Sequence, residues 1–254
     1  MILAIDIGNS NIVVGLLEGE KTCFVERLAT DHKKTELEYA ISFKNILELY
    51  SIKVSDIEGG IISSVVPPIS NTIKASIEKI LNKEVKIVGP GLKTGLNIKI
   101  DNPAQLGSDR VVDAVAALNS FPVPLIVIDM GTATTISVID KNRNYIGGVI
   151  IPGVKVSLES LSKHTSQLPK ISLEAPRKTI GKNTIECMKS GTIFGNASLL
   201  DGMISRIEKE IGMKATVVAT GGLSKFIVPH CHHEIIQDDN LLLKGLSLIY
   251  DKNK

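Results

Sequence analysis

The sequence predicts an α/β protein built from two related halves, each with a mixed sheet flanked by helices. Apolar strand patterns alternate with helical ones along the chain, which is typical of this class. A strand–Asp–x–Gly–strand pattern also occurs twice: residues 2–16 read ILAIDIGNSNIVVGL, and residues 125–139 read LIVIDMGTATTISVI. The copies begin 123 residues apart in a chain of 254. We therefore expect one domain over residues 1–120 and a second over residues 121–254, with the FPVP segment at residues 121–124 as the boundary.

The elements follow from the spacing of apolar residues in each half. In the first half, helices are expected over residues 35–50, 71–81 and 109–118, and strands over residues 60–66 and 85–88. Pro67-Pro68 should end the first of these two strands. In the second half, we expect a long helix over residues 183–211 and a closing helix over residues 241–250. Between them, a strand over residues 217–219 should end in Thr220-Gly221-Gly222.

Composition and charge exclude several classes of protein. The formal net charge of +2 argues against nucleic acid as the main partner, and the chain has no Trp for base stacking. No apolar run approaches the roughly 18 residues that a membrane helix needs, so we expect no membrane partner. The N-terminal MILAIDIG has no basic segment and reads as a buried strand rather than a signal peptide. Three scattered cysteines without a CxxC favour a reducing, cytoplasmic compartment.

Three short segments carry the expected chemistry. After the first strand, Asp6 is followed by Gly8 and small polar residues, whose backbone N–H groups can surround a phosphate. A tight hairpin turn would use the same residue types, so this segment alone leaves both interpretations open. The second copy repeats the pattern with hydroxyls after Asp129, and the third segment is Thr220-Gly221-Gly222. One or two carboxylates beside a polyphosphate suit Mg²⁺, and the absence of GxxxxGK[ST] excludes a Walker A loop.

These three segments resemble the two phosphate motifs and the adenosine motif of the actin and sugar-kinase superfamily. Other segments resemble the type III pantothenate kinase family in particular: DNP at 101–103, GSDR at 107–110, GGVIIPG at 147–153, IGKNT at 180–184 and SGTIFG at 190–195. The resemblance runs in order from residue 1 to about residue 248. It implies two ribonuclease-H-like (actin-like ATPase) domains with the ATP cleft between them, and a homodimer. It also implies that pantothenate is phosphorylated to 4′-phosphopantothenate, the first step of coenzyme A synthesis, with ATP, Mg²⁺ and a monovalent cation, K⁺ or NH₄⁺.

The resemblance also implies a role for individual residues. Asp109 matches the catalytic base, Asp129 the monovalent-cation ligand, and Thr184 a pantothenate contact reached across the dimer interface. The pantothenate contacts of the family match Gly107, Ser108, Asp109 and Arg110. The ATP contacts match Asp6, Ile7, Gly8, Asn9, Ser10, Asn11, Ile12, Val13 and Thr132, and Asp6 is also the candidate Mg²⁺ ligand.

Elementary chemistry is compatible with two of these roles and offers an alternative for each. An Asp can orient an attacking hydroxyl and accept its proton during phosphoryl transfer, but Asp109 could also be a helix cap. Arg110 can bind a carboxylate through two hydrogen bonds, and pantothenate has one carboxylate, but a surface salt bridge would use the same residue. The sequence departs from the family at Ile100, where a Tyr usually forms a wall of the pantothenate pocket.

One cluster and two further functions complete the expectations. His230-Cys231-His232-His233 resembles a metal cluster, but consecutive side chains point in different directions, so we expect an ordinary loop. A non-catalytic, nucleotide-binding regulatory protein of the same fold remains an alternative function. A kinase or phosphatase of the superfamily with another small-molecule substrate is a second one, which Ile100 keeps open.

Overall fold

The computed structural model describes residues 1–19 and 21–254 and contains eleven strands and seven α-helices within them. The strands are β1 Ile2–Ile7, β2 Asn11–Glu18, β3 Lys21–Ala29, β4 Gly59–Ser64, β5 Val85–Ile87, β6 Asn97–Ile98, β7 Leu125–Met130, β8 Ala133–Ile139, β9 Asn144–Pro152, β10 Thr216–Thr220 and β11 Ile236–Gln237. The helices are α1 Glu36–Leu49, α2 Pro67–Leu81, α3 Ser108–Ser120, α4 Val154–His164, α5 Thr184–Ile211, α6 Ser224–Ile227 and α7 Leu241–Asp251. In the described part of the chain, no helix combines the length and apolar character needed to cross a membrane.

The chain forms two compact units, and neither is continuous in sequence. The first contains residues 1–96, 101–119 and 240–254, and the second contains residues 97–100 and 120–239. The main change of unit, between residues 119 and 120, lies one residue from the expected boundary. The C-terminal segment differs from the expectation, because α7 packs Leu243, Leu246 and Ile249 against strands of the first unit. The division into domains 1–120 and 121–254 itself stays a prediction.

The first unit is a five-stranded mixed sheet with helices on both faces. Its strand order is β3-β2-β1-β4-β5, with β1 antiparallel to β2 and parallel to β4. Because side chains alternate along a strand, Leu3 and Ile5 of β1 pack with α1 and α2, whereas Ile2 and Ala4 pack with α3 and α7. The same alternation puts Asp6 on the face that α3 covers.

The second unit is a six-stranded mixed sheet with the order β11-β10-β7-β8-β9-β6. The long helix α5 packs Ile193, Leu200 and Ile204 against β7 residues Ile126 and Ile128. Asp129, the next residue, therefore points to the opposite face of this sheet. The strand–Asp–x–Gly–strand copies are thus the central antiparallel pairs β1–β2 and β7–β8 of two mixed sheets, as the sequence predicts.

The predicted helices are confirmed with small shifts at their ends, except that α2 begins at Pro67 and not at residue 71. β4 ends at Ser64, two residues before the predicted end of that strand, and Pro67-Pro68 opens this helix, because proline is well tolerated in a first helical turn. The sequence analysis missed β3, β9 and α4, and also the two-residue strands β6 and β11. In β3 only Phe24 is buried, and in α4 only Val154 and Leu158 are, so few residues of these two segments face the core.

Candidate active site

The first predicted phosphate loop connects β1 to β2 in the first unit. Gly8 N–H donates to the Asn11 carbonyl at 3.0 Å, and a Cβ on Gly8 would lie 3.1 Å from that oxygen. Glycine is therefore used here for a close approach. Directly after β3, Thr30 Oγ1 donates to the Gly8 carbonyl at 2.6 Å and Thr30 N–H to the Ser10 carbonyl at 3.1 Å. Asn9, Ser10 and Asn11 are exposed, so their polar side chains remain accessible to a ligand.

The second predicted loop connects β7 to β8 and is one residue shorter. Ile7 pairs with Ile12 in the first hairpin, so four residues connect the pair, whereas Met130 pairs with Thr134 and only three residues connect them. Gly153 N–H donates to the Thr132 carbonyl at 3.1 Å, and a Cβ on Gly153 would lie 2.3 Å from the same oxygen. The start of α4 thus lies directly against this loop, while the Thr132 side chain stays exposed.

The structure brings the third segment against Asp129. Thr220 pairs with Asp129 across the parallel strands β10 and β7. Gly221 follows with a φ of +87°, and a Cβ there would lie 2.5 Å from Asp129 Oδ1 and 2.6 Å from Met130 N. Both the backbone conformation and the close approach require glycine at this position. The sequence predicted each segment separately but gave no signal for this contact.

The GSDR segment forms the start of α3 in the first unit. Ser108 is the first residue of the helix, and Asp109 Oδ1 accepts a hydrogen bond from the Arg110 N–H at 2.8 Å. Asp109 is half-buried, and this burial raises its pKa above the usual range of an aspartate. The Arg110 N–H and the Arg110 charge act in the opposite direction but do not outweigh the burial. A partly desolvated carboxylate at a helix start can serve as a proton acceptor.

Gly107 leaves room for the Asp109 carboxylate. A Cβ on Gly107 would lie 2.5 Å from Asp109 Oδ1, and its φ is not in the left-handed region. A larger residue here would displace the neighbouring carboxylate, while the backbone conformation of Gly107 itself would accept any residue.

Thr184 is the first residue of α5 and lies elsewhere in the second unit. Asn183 caps this helix by accepting the Glu186 N–H at 2.9 Å, and a Cβ on Gly181 would lie 2.4 Å from Cys187 N. The IGKNT segment is therefore a tightly built helix start. Thr184 also lines a mainly apolar cavity of about 420 Å³ between α4 and α5. Asp129 lies on the sheet face opposite to α5, so the structure does not gather these two predicted contacts on one face.

The carboxylates suit a hard cation, whereas the histidine-rich loop does not form a metal site. Asp6 is half-buried at the end of β1 beside exposed polar side chains, which is a suitable oxygen-donor environment for Mg²⁺. Among residues 1–19 and 21–254, no group of three or more His, Cys, Asp or Glu is arranged to hold a metal ion. Instead, Asp201 accepts the backbone N–H groups of His232 and His233 and lies 3.1 Å from His233 Nδ1. The sequence analysis missed Asp201, whose position on α5 gave no signal.

Taken together, these features define a protein of the actin-like and sugar-kinase fold. A ROK hexokinase structure from Thermus thermophilus aligns over 100% of this chain and 99% of its own, with a TM-score of 0.54 and 11% identity. A Campylobacter jejuni structure, described as a conserved Baf family transcriptional activator, gives a TM-score of 0.62 at 22% identity, covering 99% of this chain and 98% of that one. At these identities, both likenesses show the fold alone.

Sequence comparison identifies the particular family. The family model for type III pantothenate kinase matches residues 2–206. A type III pantothenate kinase from Exiguobacterium sp. is 43% identical over 254 residues, which cover both chains completely. The chain belongs to the type III pantothenate kinase family.

Proposed function

We propose that this protein transfers the γ-phosphoryl group of ATP to the hydroxyl of pantothenate, giving 4′-phosphopantothenate, the first intermediate of coenzyme A synthesis. Family membership supports the choice of substrate. The observation that carries the chemistry is Asp109, a half-buried carboxylate whose pKa is raised and whose position is fixed at the start of α3.

The first loop binds the phosphates of ATP in this proposal. Residues 6–13 supply the contacts, among them the exposed Asn9 and Ser10, and Thr132 supplies a further contact from the second loop. Asp6 would hold Mg²⁺, which offsets the negative charge of the phosphates when it is bound. No side chain of residues 6–13 is basic, so this segment contributes dipoles rather than positive charge to the phosphates.

Asp109 accepts the proton of the attacking hydroxyl. As the new bond between that oxygen and the γ-phosphorus forms, the bond from phosphorus to the ADP oxygen breaks and the proton passes to the carboxylate. Because burial raises the pKa of Asp109, its carboxylate is a stronger base than a solvated aspartate. Gly107 and Ser108 hold the substrate beside it through their backbone, since the Ser108 hydroxyl is engaged with β4, and the Arg110 guanidinium binds the pantothenate carboxylate.

Asp129 binds the monovalent cation, K⁺ or NH₄⁺. The residue is half-buried, and the close approach of Gly221 leaves its Oδ1 in a narrow backbone environment. A weakly hydrated cation beside such a carboxylate would reduce the charge repulsion that a bound nucleotide meets there.

The protein partner in this proposal is a second copy of the chain. Helix α4, the start of α5 and the segment before it expose several apolar side chains, among them Leu161 at 45%, Ile185 at 49% and Ile180 at 83%. Thr184 lies within this surface, which agrees with a pantothenate contact made across a dimer interface. Ile180→Lys and Ile185→Lys should shift the mass measured by light scattering from two chains to one, and an unchanged mass would reject this interface.

A coupled assay with purified protein, ATP and Mg²⁺ tests the activity directly. Release of ADP that requires pantothenate supports the proposal, and mass spectrometry of the product should show one added phosphoryl group. ATP binding without turnover would favour the regulatory alternative. Turnover with another alcohol but not with pantothenate would favour a different substrate.

A further inference from the structure

A saturated serine hydroxyl joins the start of α3 to the end of β4. Ser108 Oγ donates to the Ser64 carbonyl at 2.9 Å and accepts the Ser64 N–H at 3.0 Å. Ser63 Oγ lies 3.1 Å from Ser108 Oγ. A hydroxyl has one donor hydrogen and two acceptor positions, and Ser108 gives its hydrogen to a carbonyl, so Ser63 must be the donor in the third contact.

The Ser108 hydroxyl takes the place beside β4 that a longer β5 would occupy. β5 lies beside β4, and its last backbone contact there is Val88 N–H to the Ile62 carbonyl at 2.8 Å. Backbone groups of alternate residues face the same neighbour, so the next groups on this side belong to Ser64. Ser108 satisfies both of them, and the first residue of α3 therefore continues the hydrogen bonding of the sheet beyond the end of β5.

The same network reaches the strand that leads into the first phosphate loop. Ser63 pairs with Asp6, and Val65 N–H donates to the Ile7 carbonyl at 3.1 Å. Paired residues on neighbouring strands point to the same face, so Ser63 and Asp6 both face α3. Ser63 is fully buried, and its hydroxyl lies between the Asp6 strand and the helix that carries Asp109.

We propose that Ser63 is a positioning residue for phosphoryl transfer: through Ser108, its hydroxyl holds the Asp109 carboxylate in register with the Asp6 end of β1. The inference rests on the proposed function only in taking Asp109 as the proton acceptor. Ser63 itself touches neither substrate in this proposal. Ser63 affects the reaction only by fixing the position of the first residues of α3.

The kinetic test compares two buried serines of the same unit. Ser63→Ala removes the donor to Ser108, whereas Ser76→Ala removes an equally buried hydroxyl that only donates to the Ile73 carbonyl within α2. For Ser63→Ala we expect kcat to fall about tenfold while both KM values change less than twofold, since sub-ångström misplacement of a reacting group acts on turnover. Ser76→Ala should keep the wild-type kcat. A Ser63→Ala variant with a kcat within twofold of the wild type overturns the inference.

A second measurement needs no substrate. In Ser63→Ala, amide hydrogen exchange of the peptide over residues 107–112 should accelerate at least severalfold, because the start of α3 loses part of its anchor. The same peptide should exchange at the wild-type rate in Ser76→Ala. Unchanged exchange in Ser63→Ala overturns the inference, whatever the activity of the wild-type protein. A wild-type protein that does not phosphorylate pantothenate would instead reject only the proposed function. If Ser63→Ala does not fold, Ser63→Cys, which keeps a side chain of similar size but only a weak donor, must accelerate the same peptide, and unchanged exchange there overturns the inference.

Discussion

Replacing Gly107 with alanine should separate catalysis from stability. The new Cβ would lie 2.5 Å from Asp109 Oδ1, whereas ordinary contacts begin at 3.4 Å, so the carboxylate must move by roughly 0.9 Å. The atom in the way is the end of a side chain, and the backbone of Gly107 is not left-handed, so alanine is accommodated at little cost. Misplacement of a reacting group by about 1 Å costs on the order of 100-fold in rate. We expect kcat to fall by about 30- to 100-fold, with a melting temperature within a few degrees of the wild type.

The assay is steady-state turnover with pantothenate and ATP, and thermal unfolding is measured on the same preparations. Gly89→Ala is the matched control in the same unit, because a Cβ there would meet nothing within 4 Å. The control should retain the wild-type kcat. If Gly107→Ala retains more than half of the wild-type kcat, the position of the Asp109 carboxylate does not limit the reaction. A large loss of stability would instead mean that α3 itself moves.

Three further outcomes follow from the proposed roles. Asp109→Asn should lower kcat by about 10²- to 10⁴-fold. Burial raises the folded-state pKa of Asp109, so the ionised carboxylate opposes folding above that pKa. The Asp109→Asn variant should therefore be more stable than the wild type at neutral pH, and this difference in stability should vanish in acid, where Asp109 takes up its proton. Thermal unfolding measured over a series of pH values checks this. Arg110→Ala should raise the KM for pantothenate more than the KM for ATP, and equal effects on both would reject the carboxylate contact. Turnover should fall when sodium or Tris salts replace potassium or ammonium salts at constant total salt, and Asp129→Ala should lose most activity. Equal rates in all of these salts would reject the monovalent-cation site.

The repeated pattern of apolar strand, Asp and Gly was sufficient to predict the centre of both sheets. The pattern fails at the second loop. When the two copies are aligned letter by letter, Ile12 corresponds to Thr135. In the structure Ile12 pairs with Ile7, whereas the equivalent pair in the second hairpin is Thr134 with Met130. A shift of one residue moves a side chain to the other face of a sheet, so equivalence between the halves stops at the glycine. Hydrogen-bond registers of this kind are not encoded in residue type.

The candidate site was predictable where residue type and chemistry coincide, and not where long-range contacts decide. The GSDR segment indicated Asp109 as a candidate, but nothing in the sequence indicated that Ser63 would contact Ser108, which lies 45 residues later in the chain. The clamp that Thr30 places on the first loop spans 22 residues and had no signal either. Serine and threonine are ordinary in strands and loops, so their role becomes visible only when the fold brings two distant segments together.

The Thr30 clamp also affects how the first loop would interact with dissolved salt. The carbonyls of Gly8 and Ser10 are engaged by Thr30, and the Asn11 carbonyl is engaged by Gly8 N–H. Three negative ends of backbone dipoles are thereby paired with donors of the protein itself, and no lysine or arginine stands in residues 6–13. Attraction that comes from oriented dipoles at short range involves no condensed counterions and is weakly screened. The affinity of this loop for a polyphosphate should therefore decline far less with added electrolyte than that of a lysine-based phosphate site.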